Sequence, residues 1–234
     1  MPEIKGGWTA SPNDVKEWDA WAASYGSTAD LPGSLHDDEI LRGVDLGNRR
    51  LLDLGCGTGR FARRAAPLAA QVTAADFSPK MLEAAAENLK GFSNVQVKFL
   101  DLEKAAGGRG EYDIVTALSV LHHVSGLEAA VKNMKAFLAP GGKVIIVEHL
   151  HTRNPVRLLR FYIAALLKLG PAACARLFLE AAAGRSLIAA HMKRETKMTL
   201  EDFRGRYLPL FPGAGIRVVS GIFAYLEWTA GPRG

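Results

Sequence analysis

Residues 50–60 read Arg-Leu-Leu-Asp-Leu-Gly-Cys-Gly-Thr-Gly-Arg, and their reading decides the fold. The apolar run Arg50 to Leu54 runs into a glycine-rich turn, the pattern of a buried strand that delivers the chain to a loop. Helical spacing follows from Arg60 to Ala70. Glycines at 55, 57 and 59 permit positive φ and let a ligand come close to the backbone. A tight strand-to-helix turn alone would also use them. Their spacing, G-x-G-x-G, differs from the dinucleotide fingerprint G-x-G-x-x-G, in which a pyrophosphate rests on the helix N-terminus. Asp53 lies two residues before the first glycine. It would repel a pyrophosphate and suits a cationic group such as an α-amino group.

The alternation continues outward from this turn. Gln71 to Ala75 is a second strand, ending at Asp76. Ser78 as N-cap and Pro79 in the first turn open a helix to about Lys90. Val95 to Leu100 is a third strand, ending at Asp101, and Tyr112 to Leu118 a fourth. An amphipathic helix from Leu127 to Leu138 is stopped by Pro140-Gly141-Gly142, and Lys143 to Glu148 is a fifth strand. Strands alternating with helices predict βαβ units and a mostly parallel sheet. Residues 153–192 then read as helical, interrupted at Gly170-Pro171 and Gly184. Ile216 to Ser220 and Ile222 to Thr229 read as two strands joined near Gly221, an antiparallel pair that adds a mixed edge.

Asp53, Asp76 and Asp101 each stand at the carboxyl end of a strand. One such acid is an ordinary turn or cap residue. Three on successive strands converge on the crevice where open α/β sheets bind ligands. Asp76 is placed for the hydroxyls of a ribose and Asp101 for the exocyclic amine of an adenine.

At this point LLDLGCGTGR (51–60) resembles the first motif of the class I S-adenosylmethionine (SAM)-dependent methyltransferases. The resemblance continues through AADFSPKMLEAA, FLDLEK, YDIVTALSVLHHV and LAPGGKVIIVEH, in the family's order and spacing. It covers roughly residues 13–150 and, more loosely, the final strand pair. The nearest branch is that of ubiquinone/menaquinone-biosynthesis and related lipid methyltransferases. The resemblance implies an α/β Rossmann-like sheet of seven strands, order 3-2-1-4-5-7-6, with strand 7 antiparallel and helices on both faces. It implies SAM as cofactor and S-adenosylhomocysteine as product. It assigns Asp53, Gly55, Cys56, Gly57 and Gly59 to the methionine moiety and Asp76 to the ribose. Phe77 and Met81 would lie beside the adenosine, Asp101 and Leu102 at the adenine, and Leu118 and Ser119 beneath the sulfonium. WDAWAASYG (18–26) resembles the family's helical lid and puts Tyr25 over the cofactor. One domain is expected, with a lid over 1–48, a cofactor-binding core over 49–150, an acceptor-side helical insertion over 151–210 and the terminal strand pair over 211–234.

Methyl transfer needs a general base only when the acceptor must lose a proton. His122 and His123, just after the fourth strand, are the candidates, with pocket lining the plainer role. Glu148 and His149 end the fifth strand on the acceptor side. His122, His123, His149 and His151 could lie close enough together for a metal site. Strand alternation would separate neighbours, so no metal is expected, and Cys56 and Cys174 lack the partners of a zinc site.

The net charge of +5 is uneven: residues 151–234 balance to +8 and residues 1–150 to −3. PVRLLRFYIAALLKLG (155–170) is apolar and basic, so it is expected either to cap the domain or to make peripheral membrane contact as part of 153–192. Without a leader or an apolar run long enough to span a bilayer, and with two cysteines, the chain reads as cytoplasmic. A small-molecule acceptor, apolar or lipid-like, is expected and nucleic acid is not, because the positives are not interleaved with stacking aromatics. The competing readings are an NAD-dependent oxidoreductase and a SAM-fold protein that binds ligand without catalysis.

Overall fold

The computed structural model describes residues 15–25, 30–105, 108–183 and 198–231. Seven strands form one sheet in the order β3-β2-β1-β4-β5-β7-β6: β1 (Arg50–Leu54), β2 (Gln71–Asp76), β3 (Val95–Phe99), β4 (Tyr112–Leu118), β5 (Leu138–His149), β6 (Gly215–Val219) and β7 (Phe223–Thr229). Strands β1 to β5 are parallel, and β7 runs antiparallel to both β5 and β6. This is the order and the mixed edge expected from sequence.

Strand alternation sorts the core into two layers. Leu51, Val72, Ala74, Ile114, Ile145 and Val147 pack on one face with α2 (Asp30–Gly43), α3 (Arg60–Ala65), α4 (Pro79–Leu89) and α6 (Pro155–Ala183). Leu52, Leu54, Val115, Ala117, Val144 and Ile146 pack on the other with α5 (Leu127–Phe137) and α7 (Leu200–Tyr207). Each fully buried Leu or Ile contributes about 1.5–3 kcal/mol relative to exposure, so a one-residue slip of any central strand is heavily disfavoured. Helix α1 (Val15–Tyr25) lies against α4.

Two boundaries differ from the expectation by more than two residues. Helix α3 ends at Ala65 and not at Ala70, because Pro67 has no N–H to donate to the helical ladder. Strand β5 starts at Leu138, paired with Tyr112. The register then shifts so that Lys143 pairs with Ile114, and residues 139–142 drop out of the ladder. Helix α6 breaks at Gly170 (φ 79°, ψ 167°), the residue before Pro171, as the sequence predicts, and is described as far as Ala183. Residues 184–197, with Gly184, lie outside the described residues. Helix α7 was not foreseen as a separate element. Thr199 caps it in a capping box with Asp202.

Candidate functional site

Five parallel strands bring their carboxyl ends to one edge of the sheet, and the motif residues collect there. Asp53 is buried at the end of β1, registered against Ala74 of β2 and Thr116 of β4. The Thr116 hydroxyl donates to its carboxylate at 2.8 Å. Burial pushes the Asp53 carboxyl up to about 7. Asp37 and Asp76 push the same way, while the Thr116 hydrogen bond and Arg60 oppose them. The result is a buried carboxyl whose ionised form an added cation would favour.

The loop that follows turns on Gly55, Gly57 and Gly59, all with positive φ. At Gly55 (φ 64°) a Cβ would sit 2.5 Å from a Val120 methyl, so only glycine fits between β1 and the segment after β4. Cys56 is buried, its N–H donates to the Ala75 carbonyl at 3.0 Å, and burial followed by Asp53 and Asp76 pushes its thiol up. It packs as a small apolar group. Asp76 accepts from the Gly57 N–H and the Ser78 N–H, each at 2.9 Å, so it ties the glycine loop to the end of β2. Burial raises its carboxyl in spite of these bonds.

Phe77 is partly buried. Met81 is 2% exposed, its N–H held by the Ser78 hydroxyl at the N-cap of α4. Asp101 accepts from the Glu103 N–H at 3.1 Å and pairs with Lys104 at 2.8 Å, while Leu102 is buried beside it. Leu118 ends β4. Ser119 adopts a left-handed φ of 59°, its N–H donating to the Val147 carbonyl at 2.7 Å. A non-glycine residue held at positive φ costs roughly 1–3 kcal/mol and is often retained at functional sites. Tyr25 ends α1, and its side chain lies outside the described residues.

The bend at Ser119 redirects the two histidines. They stand in a turn and not on the strand, so the alternation that would separate them does not apply. Their rings lie 3.7 Å apart between centroids. His123 is buried, edge-on to Trp18 of α1 at 4.7 Å. The His122 Nδ1 meets a Glu148 carboxylate oxygen, and the other oxygen accepts the Leu121 N–H at 2.9 Å. Glu148 is fully buried on the α5/α7 face of β5 and stands behind His122, while His149 falls on the opposite face, 5.8 Å from the Phe223 ring. Burial and then the Glu148 carboxylate push the buried Tyr207 phenol up. Among the described residues no group of three or more His, Cys, Asp or Glu is placed to hold a metal ion.

Sequence reasoning missed four contributors. Thr116 was legible in principle, since the parallel register sets it opposite Asp53. Val120 (the wall against Gly55) and Tyr207 needed the packing. Asp19 of α1 accepts from the Ser78 hydroxyl at 2.6 Å and the Lys80 N–H at 3.2 Å, so it pins α1 to the start of α4. That pairing spans 59 residues of chain and leaves no local pattern.

Residues 52–144 match the family described as a methyltransferase domain. A segment of the hybrid PKS-NRPS synthetase apdA of Emericella nidulans is 37% identical over 107 residues, 42% of this chain and 3% of the synthetase. The ubiquinone biosynthesis O-methyltransferase of Xanthomonas oryzae pv. oryzae is 37% identical over 115 residues, 47% of this chain and 46% of the relative. These matches therefore span less than half of each relative. Among solved structures, the DhpI complex with S-adenosylhomocysteine superposes with a TM-score of 0.66 at 22% identity, covering 94% of this chain and 96% of that one. At that identity the likeness is one of fold.

Proposed function

We propose that this chain, whose residues 52–144 match a methyltransferase domain, is a class I SAM-dependent methyltransferase that moves a methyl group from SAM to a small apolar or lipid-like molecule bearing a hydroxyl. One observation carries the cofactor assignment: a buried carboxyl, Asp53, is pushed up to about 7 at the mouth of a glycine loop that Asp76 braces. A ligand presenting both an ammonium and a ribose fits that pair. Asp53 and the Gly55–Gly59 loop, with Cys56 and Gly57, would hold the methionine end and Asp76 the ribose. Phe77, Met81, Asp101 and Leu102 would surround the adenosine, with Leu118 and Ser119 beneath the sulfonium and Tyr25 on the lid. The cofactor supplies an electrophilic methyl group, and the protein supplies orientation and exclusion of water.

His122 is the group we assign to the acceptor proton. Its Nδ1 meets the Glu148 carboxylate, and an imidazole so oriented can take the proton of a hydroxyl as the oxygen is methylated. His123, held under Trp18, closes the pocket beside it. The O-methyltransferase name of the Xanthomonas relative supports a hydroxyl acceptor. The region after β5, residues 151–210, is proposed as the acceptor-side insertion, and the whole chain as one domain.

The deciding experiment is thermal unfolding with SAM, S-adenosylhomocysteine or NAD. A ligand that binds only the folded state adds about 2.7 kcal/mol at one hundred times its dissociation constant. We expect stabilisation by the two adenosyl-sulfur ligands, lost in Asp76→Ala. Stabilisation by NAD alone, or by none of the three, would sink the cofactor assignment. Turnover is then read as S-adenosylhomocysteine release in the presence of simple catechols and prenylated phenols. His122→Gln should lower that rate by about 10²–10⁴ and leave the ligand-induced stabilisation intact. Ligand binding without turnover on any phenol would rule out the hydroxyl-acceptor reading.

A further inference from the structure

Helix α6 carries an apolar face on the side opposite to its packing. Of the twelve large hydrophobic side chains exposed among the described residues, eight belong to α6. Val156, Leu159, Ile163, Leu166 and Leu167 recur at three- and four-residue spacing, with Tyr162 at their edge, so they form one stripe. Leu167 is 82% exposed. The opposite side is anchored and cannot turn to hide the stripe. Phe161, Ala165 and Leu169 pack into the core, and Lys168 bonds Asp38 of α2 at 2.6 Å. The Arg157 carbonyl comes so close to Gly221 that a Cβ there would lie 2.1 Å away. A scattered exposed leucine is ordinary, but a contiguous stripe this long marks a contact surface.

Charge selects the partner. Between Glu148 and Glu180 the chain has no acidic residue, while Arg153, Arg157, Arg160, Lys168 and Arg176 all fall in that interval. Arg153 and Arg160 are exposed beside the stripe. An apolar stripe flanked by arginine and free of acids complements an anionic bilayer, with the side chains entering the headgroup boundary and the guanidinium groups on lipid phosphates. No described helix is long and apolar enough to cross a membrane, so the helix would lie in the surface plane. We infer that the first half of α6, Pro155 to Leu169, docks this protein on anionic lipid. Helix α6 starts six residues after β5 ends, so docking places the acceptor side of the sheet near the bilayer. The inference stands on α6 alone and does not depend on the methyl-transfer reading.

Co-sedimentation of the whole chain with vesicles tests it. Binding to phosphatidylcholine vesicles containing phosphatidylglycerol is expected, with little binding to phosphatidylcholine alone and release at about 0.5 M salt, where exposed charges are screened. Ile163→Glu with Leu167→Glu should abolish binding. Arg153→Glu with Arg160→Glu should weaken it by about 25-fold or more, at roughly fivefold per basic side chain. Should the paired glutamates prevent folding, Leu167→Cys in a Cys174→Ser background, carrying an environment-sensitive fluorophore, provides a second reading: a blue shift on anionic vesicles alone. Absence of wild-type binding, binding indifferent to lipid charge, or a wild-type dimer that Ile163→Glu with Leu167→Glu converts to monomer would each overturn the proposal. The last outcome would make a second copy the occupant.

Discussion

At the scale of single residues, Asp53 carries a pH dependence whose sign follows from its burial. Its carboxyl titrates near 7 in the folded protein and near 3.9 in the unfolded chain. Between those values the folded state holds the extra proton. The stabilising contribution is therefore full below about pH 4 and declines as pH rises through 7. A cationic ligand needs the ionised form, so affinity follows the ionised fraction. Calorimetric titration with S-adenosylhomocysteine should give a dissociation constant about tenfold weaker at pH 6 than at pH 8. Asp53→Asn should bind more weakly and flatten that profile; a flat profile in the wild type would mean that Asp53 does not face the ammonium. The candidate site was legible at this scale wherever a residue ends a strand, because chain direction alone sends Asp53, Asp76 and Asp101 to one edge. It was illegible for Glu148, read as open to the acceptor. Its side chain follows Val144 and Ile146 into the α5/α7 face, where it supports His122.

At the scale of elements, boundaries depend on groups that satisfy or withhold backbone hydrogen bonds. Pro67 ends α3 and was a visible breaker; helical spacing alone carried the sequence reading past it. Helix α7 is short, and its start rests on reciprocal bonds between Thr199 and Asp202: the Asp202 N–H donates to the Thr199 hydroxyl at 3.1 Å and the Thr199 N–H to the Asp202 carboxylate at 2.8 Å. Thr199→Ala removes the side-chain half of that box and should cost about 1 kcal/mol, lowering Tm by about 2–4 °C for a chain of this size. Thr199→Ser should keep most of the stability. Equal melting temperatures for wild type and Thr199→Ala would show that α7 is held by Phe203 and Tyr207 in the core and not by its cap.

At the scale of the molecule, a central sheet with helices on both faces is joined to α1 through contacts that include the Asp19–Ser78 bond. The sheet was legible because its five parallel strands and antiparallel edge follow from local pattern and order. The docking of α1 was not, since the Asp19–Ser78 bond and the Trp18–His123 contact join elements far apart in sequence. Helix α1, whose described side chains are mostly exposed or half-buried, opens more readily than the core. A ligand beneath α1 that contacts the glycine loop would draw on the same Ser78 and His123 neighbourhood, and binding only to the closed form stabilises it by mass action. Hydrogen exchange should therefore slow in residues 15–25 and 119–124 when S-adenosylhomocysteine binds, while β6 and β7 exchange unchanged. Asp19→Ala should raise exchange in 15–25 without ligand and reduce the protection that ligand confers there, leaving the protection at 119–124 in place. Uniform slowing across the sheet would point instead to stabilisation of the whole fold, with α1 as a fixed part of it. No change in 15–25 would remove α1 from the binding site and with it the assignment of Tyr25.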